Sequence, residues 1–200
     1  MVTLNLYRRV EPHPGFRRLL EVGGRKCNGM FVFTSNVDGH FQKAGYPDDR
    51  IVECHGSIHH FQCTRPCTNE IWQATETVRV DEEAFRAIPP LPRCKCCGAL
   101  ARPNILMFGD WNWVANRAES QHGRFDAWVE ELRAKSAKLV VIECGAGTAI
   151  PTVRATSERI ANTMRGLLVR INPREPGVPP GHLGLALGAA EAIAAICSSR

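Results

Sequence analysis

The sequence predicts an α/β fold in which a doubly wound parallel sheet is interrupted by a small cysteine-bearing insert. Three observations predict it. Short apolar runs of buried-strand type recur along the chain, each ending in a glycine or polar turn. Segments with apolar residues at helical spacing separate them. One central stretch breaks the pattern with cysteines at both ends and prolines between. The chain has 200 residues, enough for one main domain carrying an insert. With 44% hydrophobic and 22% charged residues, its composition excludes disordered, collagen-like and coiled-coil classes.

The elements follow in order. In FRRLLEV, residues 16–22, Phe16, Leu19 and Leu20 share one helical face, and Gly23-Gly24 stops the helix. MFVFT at 30–34 reads as a buried strand running into SNVDGHFQKAG, a loop around a short helix. RIVEC at 50–54 is a second strand, delivering His55, Gly56 and Ser57 at its end. From His59 to about Phe108, five prolines break up long elements, although ETVRVD alternates like a strand. Phe125, Trp128, Val129 and Leu132 then mark one face of a helix over roughly 119–136. KLVVIE at 138–143 and LLVRIN at 167–172 are further buried strands, and LGLALGAAEAIAAIC closes the chain as an apolar helix from about 185. Gly145-Ala146-Gly147 is no dinucleotide fingerprint, because Ile150 stands where a third glycine belongs.

The net charge of +5 is modest and contains no run of five like charges, so nothing supports nucleic-acid binding. MVTLNLYRRVEPHPG lacks the apolar core of a secretory leader, and no apolar run approaches the roughly 18 residues of a membrane span. These features predict a soluble cytoplasmic protein. The nine cysteines, an odd number with Cys94, Cys96 and Cys97 in a tight cluster, fit a disulfide framework poorly and a reducing compartment well.

The strongest chemical signal is Cys63-x3-Cys67 followed by Cys94-x2-Cys97. Four thiolates in two close pairs suit tetrahedral zinc, and a closed four-sulfur shell stabilises a fold without activating water. Buried or redox-active cysteines are the plainer alternative. Cys96 competes with Cys94 or Cys97 as a ligand, although Cys94 with Cys97 keeps the preferred spacing. The second signal is Thr34-Ser35-Asn36-Val37-Asp38-Gly39 followed by Glu53-Cys54-His55-Gly56-Ser57. Taken singly, the first is an ordinary capped turn and the second a lone histidine. Their order ahead of the cysteine module gives them weight.

With these motifs the chain resembles the sirtuin family of NAD-dependent protein deacylases, which carries Thr-Gln-Asn-Ile-Asp-Gly, then His-Gly-Ser, then a four-cysteine zinc module. The family's Cys-Gly-Gly-x-x-Arg-Pro-x-x-x-x-Phe-Gly-Glu segment is matched by Cys97 through Asp110, its Gly-Thr-Ser by Gly147-Thr148-Ala149, and its Ile-Asn strand end by Ile171-Asn172. The resemblance implies a Rossmann-like sheet that binds NAD, zinc in the insert, and removal of acyl groups from protein lysines with release of nicotinamide and O-acyl-ADP-ribose. His55 would be the base that activates a ribose hydroxyl. Asn36 and Asp38, with Thr34 and Ser35, would line the nicotinamide and ribose pocket. Gly147 and Thr148 would approach the phosphate and adenosine side, and Asn172 the adenosine ribose. Met107, Phe108, Gly109, Asp110 and Trp111 would form a strand-like edge for the acyl-lysine peptide. Asn172 as a plain strand cap, and Trp111 and Trp113 as core aromatics, are the plain readings of those residues.

Several positions depart from the family pattern. Ser35 replaces Gln, His40-Phe41 replaces Leu-His, Asp110 replaces Glu and Ala149 replaces Ser. The residues before Thr34 match only the segment containing Pro12, Phe16, Leu19 and Leu20, and do not contain the family's Gly-Ala-Gly-x-Ser phosphate loop, so the sheet is expected to be incomplete on its N-terminal side. Residues 1–58 and 109–200 are assigned to the NAD-binding domain and 59–108 to the zinc module. Two competing readings are a degenerate relative acting as a zinc-containing scaffold, and an enzyme that hydrolyses NAD or transfers ADP-ribose. Oligomeric state is not encoded in these motifs.

Overall fold

The computed structural model describes residues 7–81 and 83–198. Helix α1 (Gly15–Gly24) precedes β1 (Val32–Thr34), and the short helix α2 (His40–Lys43) leads to β2 (Ile51–Glu53). A run of antiparallel strands follows: β3 (Gly56–Cys63), β4 (Trp72–Gln73), β5 (Arg79–Asp81), β6 (Arg86–Ile88) and β7 (Ala101–Ile105). The chain then returns to alternating helix and strand with α3 (Asn116–Ala134), β8 (Val140–Cys144), α4 (Thr152–Thr163), β9 (Leu167–Ile171), β10 (Leu183–Leu185) and α5 (Ala189–Ser198).

The parallel strands form two pieces. β1 pairs with β2, and β9 lies between β8 and β10. Among the described residues β1 and β8 each pair on one side only, so the single sheet that the sequence predicts is divided. Shared helices hold the pieces together. On one face Phe125, Trp128, Val129 and Leu132 of α3 and Ile160 of α4 cover Val52 of β2, with Phe33 of β1 and Val141 of β8 packed at the margin. On the other, Leu19 of α1 joins Ile193 of α5 against Val169 and Ile171, while Phe16 and Leu20 of the same helix pack near Ile51. Burying one apolar stripe per helix against a sheet face is what the helical spacing of these residues requires.

Two further sequence expectations change. LGLALG is not the start of the last helix. Leu183–Leu185 pairs in parallel with Val169–Ile171, and the helix begins at Ala189. A short apolar run without periodicity is settled by its neighbour, not by its own sequence. The proline-rich insert also contains a longer strand than expected. β3 spans eight residues and pairs with β7 across a register shift between Ser57 and Phe61, where Phe61 faces Pro103. Proline has no N–H to donate, so the irregularity falls where the ladder lacks a donor. No helix among the described residues is long and apolar enough to cross a membrane.

Candidate NAD and zinc sites

Loops at the carboxyl ends of the parallel strands carry the polar motifs, which is where open α/β sheets bind ligands. At the end of β1, Thr34 Oγ1 accepts from the amide of Asn36 at 3.0 Å, and the amide of Cys54 donates to the Thr34 carbonyl at 2.9 Å. Asp38 Oδ1 accepts from the amide of His40 at 3.0 Å, opening α2, and its carbonyl lies 2.9 Å from Nε2 of His59. Gly39 makes this turn possible: its φ is +71°, and a Cβ there would stand 2.6 Å from the His59 ring.

His55 occupies the tight connection between β2 and β3. The amide of Leu106 donates to its carbonyl at 3.0 Å, and the amide of Ile58 donates to Val37 at 3.0 Å. These bonds bring the Thr34–Asp38 loop, His55 and the end of β7 to one place. Burial lowers the pKa of the half-buried His55 below 6.5, so its imidazole is neutral near pH 7 and free to accept a proton.

Beyond β7 the chain turns. The amide of Asp110 donates to the Met107 carbonyl at 3.1 Å, and Gly109 has φ +68°, so Met107–Trp111 is a turn, not the strand-like edge expected. Arg102 holds Asp110 at 2.6 Å, fixing the base of the turn while Phe108 and Trp111 project with 90% and 96% of their surfaces exposed. Trp111 is therefore no core aromatic.

The other piece of the sheet carries Gly147, Thr148 and Asn172. Asn172 Nδ2 donates to the Ala146 carbonyl at 3.1 Å, and its Oδ1 accepts from the amides of Arg174 and Glu175 at 3.0 Å each, so it organises the loops after β8 and β9. Motif reasoning assigns no role to Glu175, whose carboxylate accepts from the Thr148 amide at 3.0 Å and from the Thr148 hydroxyl at 2.7 Å. These bonds, aided by Arg154, hold its pKa below the usual carboxylate value. Nor does it single out Arg154, which donates to the carbonyls of Ala146, Glu175 and Gly177. The spacing of Arg154 from those acceptors carries no sequence signal, whereas Glu175 lies only three residues beyond Asn172.

The insert brings the four predicted sulfurs together. Sγ atoms of Cys63, Cys67, Cys94 and Cys97 all lie within 4.8 Å of one another, with Cys63–Cys97 and Cys67–Cys94 at 3.6 Å. A tetrahedral zinc with Zn–S near 2.3 Å sets its sulfurs about 3.8 Å apart, so the donor set fits that ion. Backbone amides of Cys97 and Cys96 point at the Cys94 thiol and lower its pKa to about 7, favouring the thiolate that a metal requires.

Comparison with known proteins agrees with this layout. The Sir2 family model matches residues 5–129. The chain belongs to the Sir2 family. Among curated Sir2 relatives, the NAD-dependent protein deacylase 1 of Archaeoglobus fulgidus is 29% identical over 170 residues, covering 84% of this chain and 57% of the relative. An NAD-dependent protein deacylase of Thermus thermophilus is 29% identical over 191 residues, covering 94% and 65%. The chain thus spans under two thirds of these relatives' lengths. Solved Sir2 structures share the fold. A mutant Sir2 homologue with ADP-ribose superposes with a TM-score of 0.68 at 23% identity, over 98% of this chain and 69% of that one. A Sir2 complex with a p53 peptide and NAD+ gives 0.63 at 21%, over 96% and 72%.

Proposed function

We propose that this Sir2 chain removes acyl groups from lysine side chains of protein substrates at the expense of NAD, releasing nicotinamide and O-acyl-ADP-ribose. The observation that carries the proposal is the placement of His55, neutral near pH 7, beside the Asn36 and Asp38 loop at the carboxyl ends of β1 and β2. Bound NAD would offer its nicotinamide-bearing ribose carbon as the acceptor of the acyl oxygen. His55 takes the proton from a ribose hydroxyl. Asn36 and Asp38, with Thr34 and Ser35, orient the nicotinamide and ribose. Gly147, Thr148 and Asn172 hold the phosphate and adenosine end, and Met107, Phe108, Gly109 and Asp110 receive the acyl-lysine peptide. Curated relatives named NAD-dependent protein deacylases support the activity in this reading.

In this reading residues 1–58 and 109–200 form the NAD-binding part, and 59–108 the zinc module that holds β3 and β7 in register. All nine cysteines are free, consistent with the reducing cytoplasm as the place of action. The test is incubation of the zinc-loaded chain with NAD and an acetyl-lysine peptide, followed by mass spectrometry. Nicotinamide and O-acetyl-ADP-ribose in equal amounts are expected. Nicotinamide released without peptide identifies NAD hydrolysis instead, and no product from the folded chain refutes turnover.

A further inference from the structure

Residues 112–114, between the exposed turn and α3, belong to no helix or strand, so their backbone needs partners from elsewhere. Two fully buried side-chain amides, Gln62 on β3 and Asn104 on β7, supply them. Gln62 Nε2 donates to the Asn112 carbonyl at 2.7 Å, and Gln62 Oε1 accepts from the Val114 amide at 3.0 Å and from Asn104 Nδ2 at 2.9 Å. Asn104 Nδ2 donates in turn to the Val114 carbonyl at 2.8 Å. The turn at Met107–Trp111 therefore stands on two feet. Before it, Leu106 bonds to the His55 carbonyl; after it, Asn112 and Val114 bond to Gln62.

We propose that Gln62 is a positioning residue for the peptide substrate, acting through Asn112 and Val114 on the turn that presents Phe108 and Trp111. The inference rests on the proposed deacylation, in which this turn receives the acyl-lysine peptide. Gln62 is buried and touches no substrate itself. A primary amide suits this place because it donates to one backbone carbonyl and accepts from one backbone amide at the same time. A hydrocarbon of similar length leaves the Val114 amide and the Asn112 carbonyl short of a partner, and a buried polar group without one is costly. The second foot then loosens, and Phe108 and Trp111, almost wholly exposed, lose their fixed presentation. NAD and the His55 end of the turn keep their own contacts, so the effect falls on the peptide.

The test compares wild type with Gln62→Met at equal zinc content. The peptide KM, measured with an acetyl-lysine peptide at saturating NAD, should rise roughly tenfold, the loss of one to two hydrogen bonds. The value of kcat, and NAD affinity by isothermal titration, should change less than about twofold. Amide exchange at Asp110 and Asn112, whose N–H groups bond within the turn, should quicken while β8 and β9 stay protected. Asn104→Ala, which leaves Gln62 its bonds to Asn112 and Val114, should raise the peptide KM less, and it carries the same comparison if Gln62→Met does not fold. An unchanged peptide KM with wild-type turnover intact would overturn this inference and leave deacylation standing. Equal losses in peptide KM, kcat and NAD affinity would reduce Gln62 to a structural role and overturn it too. A folded wild-type chain that turns over no peptide would overturn both readings.

Discussion

The amide of Leu106 donates to the carbonyl of His55 across 3.0 Å. This bond joins the residue that follows β7, where the exposed turn begins, to the residue between β2 and β3. The candidate base and the candidate peptide-binding turn are thereby one backbone unit, and the pairing of β7 with β3, whose far end is Cys63, holds it in place.

His55→Ala should lower kcat/KM for NAD-dependent deacylation by at least about a hundredfold, the usual contribution of a positioned base. In the native chain, protonation of His55 removes the base, and burial lowers its pKa from 6.5. Activity should therefore persist below pH 6.5 and fall only as pH drops through the lowered value. An acid limb centred above 6.5 would contradict this assignment.

Asp38 has a structural and a chemical task that substitutions separate. Its carboxylate accepts from the His40 amide two residues on, a turn hydrogen bond worth about 1 kcal/mol. Asp38→Asn keeps an acceptor and should retain stability while losing activity; Asp38→Ala should lose both. Urea melts beside turnover assays make the comparison, and full activity in Asp38→Asn would leave only the turn.

Gly56 lies at φ +82°, and a Cβ there would stand 1.9 Å from the Asn104 carbonyl oxygen. Gly56→Ala should cost at least about 2 kcal/mol by forcing β3 away from β7 beside His55. An unchanged denaturation midpoint would count against this close approach.

Zinc removal should loosen the insert selectively. Chelation, or Cys63→Ser, should raise amide exchange in β3, β4 and β7 while β8–β10 remain protected, because metal-binding energy is local folding energy. Unaltered exchange in β3 after confirmed metal loss would show that the sulfurs do not hold the module.

Arg170 and Glu143, on neighbouring strands β9 and β8, form a buried ion pair, with Arg170 Nη2 3.1 Å from Glu143 Oε2. Arg170→Met leaves Glu143 buried without its partner and should cost roughly 3–5 kcal/mol. Adding Glu143→Leu should recover much of that loss. A single variant as stable as wild type would be inconsistent with the pairing.

What was readable in the sequence was chemistry with short spacing. Thr34–Gly39, His55 and the two cysteine pairs each declare themselves within a few residues, and the structure gathers the four sulfurs as the spacing predicts. Pairing between distant residues was not readable. Glu53 with Arg117 at 2.6 Å, Arg170 with Glu143, and Arg154 with three carbonyls depend on which strands and helices become neighbours. β10 was hidden because its leucines have no period of their own, and β3 because Pro103 disguises its partner strand. The division of the parallel sheet between β1 and β8 was not readable, because it follows only from the pairing.

In the proposed function Asn36 and Asp38 on one piece of the sheet, and Thr148 and Asn172 on the other, serve one NAD molecule. Isothermal titration of NAD into the zinc-loaded chain tests it most directly. Saturable binding of one NAD per chain, weakened by Asn36→Ala and by Asn172→Ala alike, is the predicted result. No binding by the zinc-loaded chain, or binding indifferent to both substitutions, would contradict it.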